Sequence, residues 1–489
     1  MPTFKTIARL LLLTLGALAI HGYHPYAEDA EIYLPGVEKV LHPEFFPFHA
    51  EFFQTQGNLT LFSRLIAFSV RLSHLPFDHA LFLWHLFSIF MLLLASWKLV
   101  ARFFSSESAR WGAVALTAAL LTLPLAGTAL YVMDQYLNPR NLAAFAGLFA
   151  VQNVIDGRLV RAATWLIFAV FIHPLMVWFA LSFCLLWLVF SRLEARPTST
   201  TTAAAPAFLV FLPKIFYPAS TGYHEAIRFH ENHYILQWQW YEWLGAIAPI
   251  LIFWLLERLA GKRGMVLAAR ACRVLMFYGI VYFFAALVIS IPQRFEALAR
   301  LQPLRSLHLL YMLLIIIGGG FLAEYVLKNR VWRWLGLFVP LCAGMFLAQR
   351  SLFPASDHVE WPWAKPKNLW EQAFIWIRNS TPSDAIFAID PVYIELPGED
   401  TVAFRPLAER SSIADGYKDS GTVSMFPPLA DLWWEQFQAE RNWKNFTVAD
   451  FRRLRDRYGV NWVVLQWPGV AGLECPYQNQ AVMVCRIGP

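Results

Sequence analysis

The sequence predicts a polytopic α-helical membrane protein of about eleven transmembrane helices, followed by a C-terminal extracytoplasmic α/β domain. Of its 489 residues, 57% are hydrophobic and only 15% are charged, whereas roughly 25% of the residues in soluble domains are charged. Long apolar runs fill residues 1–350, and the hydropathy falls from residue 351 onwards. Such a chain has too little polar surface for a soluble globule, so a purely soluble enzyme and a disordered chain are both excluded.

The net charge also differs between residues 1–350 and residues 351–489. Residues 351–489 contain 13 Lys and Arg against 17 Asp and Glu, so the net positive charge of +6 arises in residues 1–350. Basic residues between apolar segments are typical of cytoplasmic loops. No Lys/Arg run or RNA-binding motif is present, so we expect no nucleic-acid partner.

The first predicted span covers residues 5–22. Lys5 and Arg9 precede its apolar run, and no small-x-small cleavage site follows. This pattern indicates an uncleaved helix whose N-terminus is cytoplasmic. Ten further apolar segments are predicted to span the membrane: 77–99, 111–133, 141–156, 161–173, 175–191, 203–217, 243–260, 266–291, 305–327 and 332–350.

His173-Pro174 divides a long apolar stretch into two of these spans. A single helix over residues 161–191 would be about 46 Å long, and proline disfavours helix at the residue before it. With two helices, the basic loops Lys98–Arg110, Asp156–Arg161, Arg192–Arg196, Glu257–Arg263 and Lys328–Arg333 all fall on the cytoplasmic side. This topology places the C-terminal domain outside, in the periplasm of a bacterial inner membrane.

The largest outward segment is the loop 23–76. Arg64 and Arg71 interrupt its apolar stretch 59–72, which predicts a short amphipathic helix lying at the outer surface.

The C-terminal domain, residues 351–489, alternates predicted helices and strands, which is typical of a small α/β domain. The predicted helices are Asn368–Asn379, Leu429–Arg441 and Val448–Tyr458, and the predicted strands are Ala385–Ile389, Val460–Gln466 and Val482–Ile487. Cys475 and Cys485 lie at the two ends of a possible hairpin. An oxidising compartment permits a disulfide between them, and free thiols are the alternative.

The first candidate site follows the first helix, in the stretch His24-Pro-Tyr-Ala-Glu28-Asp29-Ala-Glu31. A carboxylate here, Glu28 or Asp29, has the chemistry of a general base that takes a proton from an attacking hydroxyl. Proximity to the bilayer is expected to raise its pKa. Glu31 and His24 are candidate substrate-binding residues. The alternative is a solvated acidic loop, or an N-cap for a short helix near Glu31.

The second candidate site is a set of cationic residues at outer helix ends. Arg140, Arg294 and Arg305 have the fork geometry that binds phosphate, and His308 lies nearly one helical turn beyond Arg305. The alternative is anchoring to lipid headgroups, or an ion pair with Asp134 or Glu296. His173 is a further substrate-binding candidate, with a helix-end hydrogen bond as its alternative role.

A weaker signal comes from the histidines of an outer loop. His224, His230 and His233 occur close together, as metal ligands often do. They lack the helical i, i+4 motif, so no metal site is predicted and a divalent cation stays an alternative.

The order of these features resembles the GT-C class of integral-membrane glycosyltransferases, which includes protein mannosyltransferases, aminoarabinose transferases and oligosaccharyltransferases. The stretch Trp370…Trp376-Ile-Arg-Asn-Ser-Thr-Pro-Ser-Asp-Ala385 is similar to the start of the exported domain in oligosaccharyltransferases. The Trp-Trp-Asp-Tyr-Gly motif of those enzymes is absent, and Asp415-Gly-Tyr-Lys-Asp419 stands roughly in its place. The resemblance is therefore to the class and not to oligosaccharyltransferase itself.

The resemblance implies an inverting transferase that moves a sugar from a polyprenyl-phosphate donor to an acceptor hydroxyl at the periplasmic side. Asp29 or Glu28 would be the base, and Arg305, Arg294 or Arg140 would meet the donor phosphate. No cofactor is implied, and the lack of a Gly-x-Gly-x-x-Gly or P-loop motif agrees with a lipid-linked donor. The alternatives are a non-catalytic scaffold of the same fold and a transporter of lipid-linked sugars. A transporter predicts inverted repeats and polar residues at mid-membrane, and neither is evident in the sequence.

Overall fold

The computed structural model describes residues 2–195, 219–290, 293–396, 399–400 and 402–488. The described chain is mostly helical. Its α-helices are α1 Phe4–His21, α2 Ala30–Leu41, α3 Glu51–Leu59, α4 Phe62–Ser73, α5 Phe77–Val100, α6 Glu107–Ala119, α7 Pro139–Ile155, α8 Leu159–Ile172, α9 Pro174–Ala195, α10 Thr221–Arg228, α11 Trp240–Lys262, α12 Val266–Ser290, α13 Ser306–Phe321, α14 Val331–Leu352, α15 Leu369–Ser380, α16 Phe404–Ala408, α17 Lys418–Met425, α18 Ala430–Glu440 and α19 Val448–Tyr458.

Within the described residues, seven helices are long and apolar enough to cross a membrane. They are Phe4–His21, Phe77–Val100, Pro174–Glu194, Trp240–Lys262, Val266–Ser290, Leu298–Leu327 and Val331–Leu352. The predicted spans 141–156 and 161–173 form α7 and α8, which are shorter apolar helices. The predicted span 203–217 lies outside the described residues.

The predicted span 111–133 is wrong. α6 ends at Ala119, and residues 120–138 form an irregular segment in which the Leu125 amide bonds the Leu130 carbonyl at 2.9 Å and the Met133 amide bonds the Leu121 carbonyl at 2.7 Å. The break agrees with Pro124, since proline lacks the amide that a helix interior needs. The segment buries its backbone in hydrogen-bonded turns, which suits a stretch that lines a cavity inside a helical bundle.

The predicted break at His173-Pro174 is confirmed, because α8 ends at Ile172 and α9 begins at Pro174. The predicted amphipathic stretch 59–72 is also helical, as α4.

The C-terminal part contains a five-stranded sheet with the order β2-β1-β3-β5-β4. Its strands are β1 Ile386–Ile389, β2 Ser411–Ser412, β3 Trp462–Gln466, β4 Glu474–Gln478 and β5 Val482–Arg486. β1, β2 and β3 are parallel, and β5 runs antiparallel to β3 and β4. The sulfurs of Cys475 and Cys485 form a disulfide that joins β4 to β5. The α/β character predicted for this part is therefore confirmed.

The C-terminal part packs directly on the outer ends of the helices. Tyr23, just after α1, forms a β-bridge with Val359, and Ala27 forms one with Val402. Gly22 permits this approach: its φ is +78°, and a Cβ at this position would lie 2.4 Å from the carbonyl oxygen of His358. A single buried core continues from the helices into α15 and the sheet.

Candidate active site

A cavity of about 250 Å³ lies where the C-terminal part meets the helices. Seven stretches of the described chain supply its walls: the start of α2, α3, the irregular segment 124–136, the start of α7, the segment before α11, the segment before α13, and α17. Its charged and titratable lining residues are Glu28, Asp29, Asp134, Arg140, His230, His233, Arg305 and Lys418. The cavity therefore brings together the predicted acids and two of the three predicted arginines.

The turn between α1 and α2 positions the two acids. Glu28 has a φ of +53°, and Asp29 is the residue directly before α2. The Asp29 amide donates a hydrogen bond to the Tyr136 hydroxyl at 3.3 Å, and the Asn138 side-chain amide donates to its carboxylate at 3.4 Å. These contacts fix the Asp29 carboxylate against the irregular segment 120–138.

Arg140 pairs with two carboxylates. One guanidinium nitrogen lies 3.0 Å from Asp29 Oδ2, and another lies 3.1 Å from Asp134 Oδ2. Its position follows from the local sequence Asn138-Pro139-Arg140, because the Asn138 side chain accepts from the Arg140 amide at 2.9 Å and starts α7, as N-cap residues do. Arg140 thus holds the Asp29 carboxylate in place through an ion pair.

Arg305 differs from Arg140 because it forms no ion pair with any described residue. Its Nε is buried and has no hydrogen-bond partner there. Two other lining side chains also have a buried polar atom without a hydrogen-bond partner among the described residues. These atoms are Gln302 Oε1 and His233 Nδ1. Buried polar groups nearly always have partners in native proteins, so this wall of the cavity has the chemistry of a ligand-binding surface.

Lys418, which the sequence did not suggest as a site residue, completes the cluster. It begins α17 in the C-terminal part and is only 5% exposed. Its ammonium bonds the Glu28 carboxylate and lies 3.3 Å from Asp29 Oδ1. The signal available in the sequence was the stretch Asp415-Gly-Tyr-Lys-Asp419, in which Lys418 lies beside two acids.

The charges around Asp29 overturn the expected direction of its pKa. Burial alone would raise the pKa of this carboxyl, but the positive charges of Lys418, Arg140 and Arg305 outweigh burial and hold the pKa below its ordinary value. Asp29 is therefore ionised at neutral pH.

Glu31 has a different environment, outside the cavity. Its carboxylate lies 3.3 Å from a guanidinium nitrogen of Arg405 and accepts from the Arg405 amide at 3.0 Å. Arg405 is bonded more tightly by Asp419, at 2.6 Å. Burial raises the pKa of Glu31 to about 8, and the attraction of Arg405 offsets this only in part. Glu31 thus joins α2 to α16 and does not reach the cavity.

Three predicted histidines are also outside the cavity. His24 bonds Glu360 at 2.7 Å and stacks on Phe353. His308 bonds the Val132 carbonyl at 3.0 Å. His173 Nδ1 accepts from the Met176 amide at 3.5 Å, which is a helix-end contact. Arg294 lies in the 3-10 helix Gln293–Leu301, and its side chain is outside the described residues.

The histidines of the outer loop have separate partners. His224 pairs with Glu296 at 2.7 Å, and His230 bonds the Ser420 hydroxyl at 3.1 Å. In the part of the chain that the structure describes, no three His, Cys, Asp or Glu side chains are grouped so as to hold a metal ion. His230 and His233 line the cavity, where they contribute polar ring atoms to its wall.

Comparison with known proteins gives no relative: no family model matches the sequence, and no curated protein matches it significantly.

Proposed function

We propose that the protein is a GT-C-like membrane glycosyltransferase that transfers a sugar from a polyprenyl-phosphate donor to an acceptor hydroxyl, with inversion. The observation that carries this proposal is the cavity itself. It combines an ionised carboxylate, Asp29, with the half-buried Arg305, whose Nε has no hydrogen-bond partner among the described residues. A base and an anion-binding group in one cavity are what this reaction requires.

In the proposed reaction, the donor phosphate binds at Arg305. The acceptor hydroxyl attacks the anomeric carbon from the face opposite the phosphate, and Asp29 takes the hydroxyl proton. The new C–O bond forms as the old bond to the phosphate oxygen breaks, and its electron pair leaves with the phosphate. Arg305 and Lys418 stabilise that negative charge, an electrostatic effect that is often the largest in catalysis.

Donor binding would also change the pKa of the proposed base. Lys418, Arg140 and Arg305 lower the pKa of Asp29. A bound phosphate neutralises part of this positive charge, so the pKa of Asp29 rises toward the range in which a carboxylate is an effective base. Asp29 is then a stronger base when the donor is present than when it is absent.

The same proposal includes the membrane topology. We infer about eleven spans in a bacterial inner membrane, with a cytoplasmic N-terminus and a periplasmic C-terminal domain over residues 351–489. The cavity lies beyond the end of α1 and at the starts of α7 and α13. Basic side chains such as Arg9, Arg102, Arg158 and Arg270 lie near the other ends of the helices, in ion pairs with Glu107, Asp156 and Glu194. This distribution agrees with the positive-inside rule.

Substitution of the base tests the proposal. The purified protein, in proteoliposomes with a bacterial envelope extract as acceptor, would be given a panel of polyprenyl-phosphate sugars. Release of polyprenyl monophosphate is the readout, because it is the product whatever the acceptor. Asp29→Asn should lower the release rate at least about 100-fold, since general-base catalysis contributes roughly 10²–10⁴.

The matched control is Glu44→Gln, an exposed acid of the same outer segment whose side chain is 64% exposed. It should keep the wild-type rate, and all variants should keep the wild-type thermal stability. Wild-type rates in both Asp29→Asn and Glu28→Gln would remove the proposed base. If no donor of the panel released polyprenyl monophosphate, polyprenyl-phosphate sugars would be excluded as the donor class.

A non-catalytic scaffold is the second candidate, and one observation favours it. Arg140 and Lys418 both hold Asp29, as expected for a structural ion-pair network. This candidate predicts that Asp29→Asn lowers the melting temperature strongly and that the wild-type protein releases no polyprenyl monophosphate.

A further inference from the structure

A second pocket, of about 90 Å³, lies close to the first along the chain. Pro25 and Tyr26 line it, whereas Glu28 and Asp29 line the larger cavity. Its remaining walls come from the first turn of α5, the segment 357–367 and α15. No residue that lines this pocket takes part in the proposed transfer, so the pocket would serve a different function.

The inner part of this pocket is acidic. We call Asp78, Glu360 and Glu371 the acidic floor. Glu371 is only 5% exposed, and burial together with the nearby Glu360 raises its pKa well above the ordinary value. His24 bonds Glu360 at 2.7 Å but brings no charge at neutral pH, because burial lowers the pKa of His24 to about 3. Arg378 also lines the pocket, and its guanidinium pairs with Glu409 at 3.5 Å.

The pocket also contains a buried tyrosine hydroxyl, that of Tyr23. Tyr23 lines the pocket and is 1% exposed, and its Oη has no hydrogen-bond partner among the described residues. Burial, and then the charges of Asp78 and Glu360, raise the pKa of the Tyr23 hydroxyl, and all three residues line the same pocket. A buried hydroxyl without a partner costs free energy, which a ligand with hydrogen-bond donors would recover.

The outer part of the pocket is basic and aromatic. We call the exposed Lys365 and Lys367 the lysine rim. Trp361 lies beside them, 40% exposed, and stacks on Trp363 at 5.2 Å between ring centroids. The candidate span α1 ends at His21 and the candidate span α5 begins at Phe77. The pocket is therefore level with the helix ends, where tryptophans and lipid headgroups meet.

We propose that this pocket binds the phosphoethanolamine headgroup of a membrane phospholipid, with its ammonium on the acidic floor and its phosphate at the lysine rim. The ammonium supplies three hydrogen-bond donors to the acids of the floor and to the Tyr23 hydroxyl. None of these acids pairs with a Lys or Arg among the described residues. The opposite charges of the headgroup match the two ends of the pocket, which a purely anionic or purely cationic ligand would not. The site holds a lipid and is independent of the transfer reaction.

Titration of the delipidated full-length protein by native mass spectrometry tests this proposal. The probes are dihexanoyl phosphatidylethanolamine, dihexanoyl phosphatidylcholine and free phosphoethanolamine. The ethanolamine lipid should bind at least about tenfold more tightly than the choline lipid, because trimethylation removes every N–H donor. Tyr23→Phe should weaken its binding about five- to tenfold without lowering the melting temperature, because Oη has no partner within the described protein.

Glu371→Gln should weaken binding of the ethanolamine lipid, and Asp456→Asn, at a side chain that is 67% exposed, should leave it unchanged. Equal affinity for the ethanolamine and choline lipids would overturn the proposal. So would wild-type affinity in both Tyr23→Phe and Glu371→Gln. If free phosphoethanolamine bound as tightly as the lipid, the bilayer would be the wrong source of the headgroup.

Discussion

At the scale of single residues, the central feature is a carboxylate held ionised by three cations. Asp29 contacts Arg140 and Lys418 directly and lies in the field of Arg305. The two paired cations fix its position. Arg305 has no ion pair within the described part of the chain, so it is the group that we expect a donor phosphate to contact. This division of roles makes different predictions for the three residues.

Substitution of Lys418 should change the pH dependence of transfer. The charge of Lys418 lowers the pKa of Asp29, so Lys418→Met should raise that pKa. Asp29 is the base only when it is ionised, so the acidic limb of the profile of kcat/KM against pH should move to higher pH. The maximal rate should also fall, by roughly 10²-fold if Lys418 stabilises the departing phosphate.

Lys444→Met, at an exposed lysine of the same C-terminal part, is the control and should leave the profile unchanged. A Lys418→Met profile that overlays the wild-type profile would show that Lys418 has no influence on the base.

The sequence identified part of this site and missed the rest for a physical reason. The acids Glu28 and Asp29 follow an apolar helix, and Arg140 and Arg305 begin helices, so position alone pointed to them. Lys418 is 389 residues from Asp29, and no local pattern reports a pairing over that distance. The expected rise in the pKa of Asp29 was wrong because burial was considered without the cations that surround it.

At the scale of elements, helix breaks decide where the cavity forms. Pro174 divides one apolar stretch into α8 and α9, as the sequence predicted. The apolar residues 120–133 were predicted to continue α6, but they form hydrogen-bonded turns that line the cavity instead. Hydrophobicity does not distinguish a lipid-facing helix from an apolar loop buried in protein, so Pro124 and Gly127 were the local signs of this break.

The close contact at the end of α1 gives a stability prediction. Gly22→Ala places a Cβ 2.4 Å from the His358 carbonyl in a residue with a φ of +78°. It should lower the free energy of unfolding by at least about 1 kcal/mol, measured as a lower melting temperature in detergent.

Gly16→Ala is the matched control on the same helix, because a Cβ there has no neighbour within 4 Å. It should keep or slightly raise the melting temperature, since alanine favours helix over glycine. Equal melting temperatures for Gly22→Ala and the wild type would contradict the described contact between the end of α1 and the segment after α14.

At the scale of the whole molecule, the cavity belongs to neither half of the chain alone. The helical part supplies Asp29, Arg140 and Arg305, and the C-terminal part supplies Lys418 on α17. A buried hydrogen bond from the Arg405 amide to the Glu31 side chain joins the two parts beside the cavity. The alternation of helices and strands in the C-terminal part was predictable from periodicity, but the way this part covers the helix ends was not, because it depends on contacts between distant segments.

The most direct measurement is a cryo-electron microscopy structure of the full-length protein in nanodiscs with polyprenyl monophosphate. We expect phosphate density inside the cavity, within hydrogen-bonding distance of Arg305 and on the same side as Asp29 and Lys418. Phosphate density on another face of the molecule, with Arg305 unliganded, would contradict the proposed donor site.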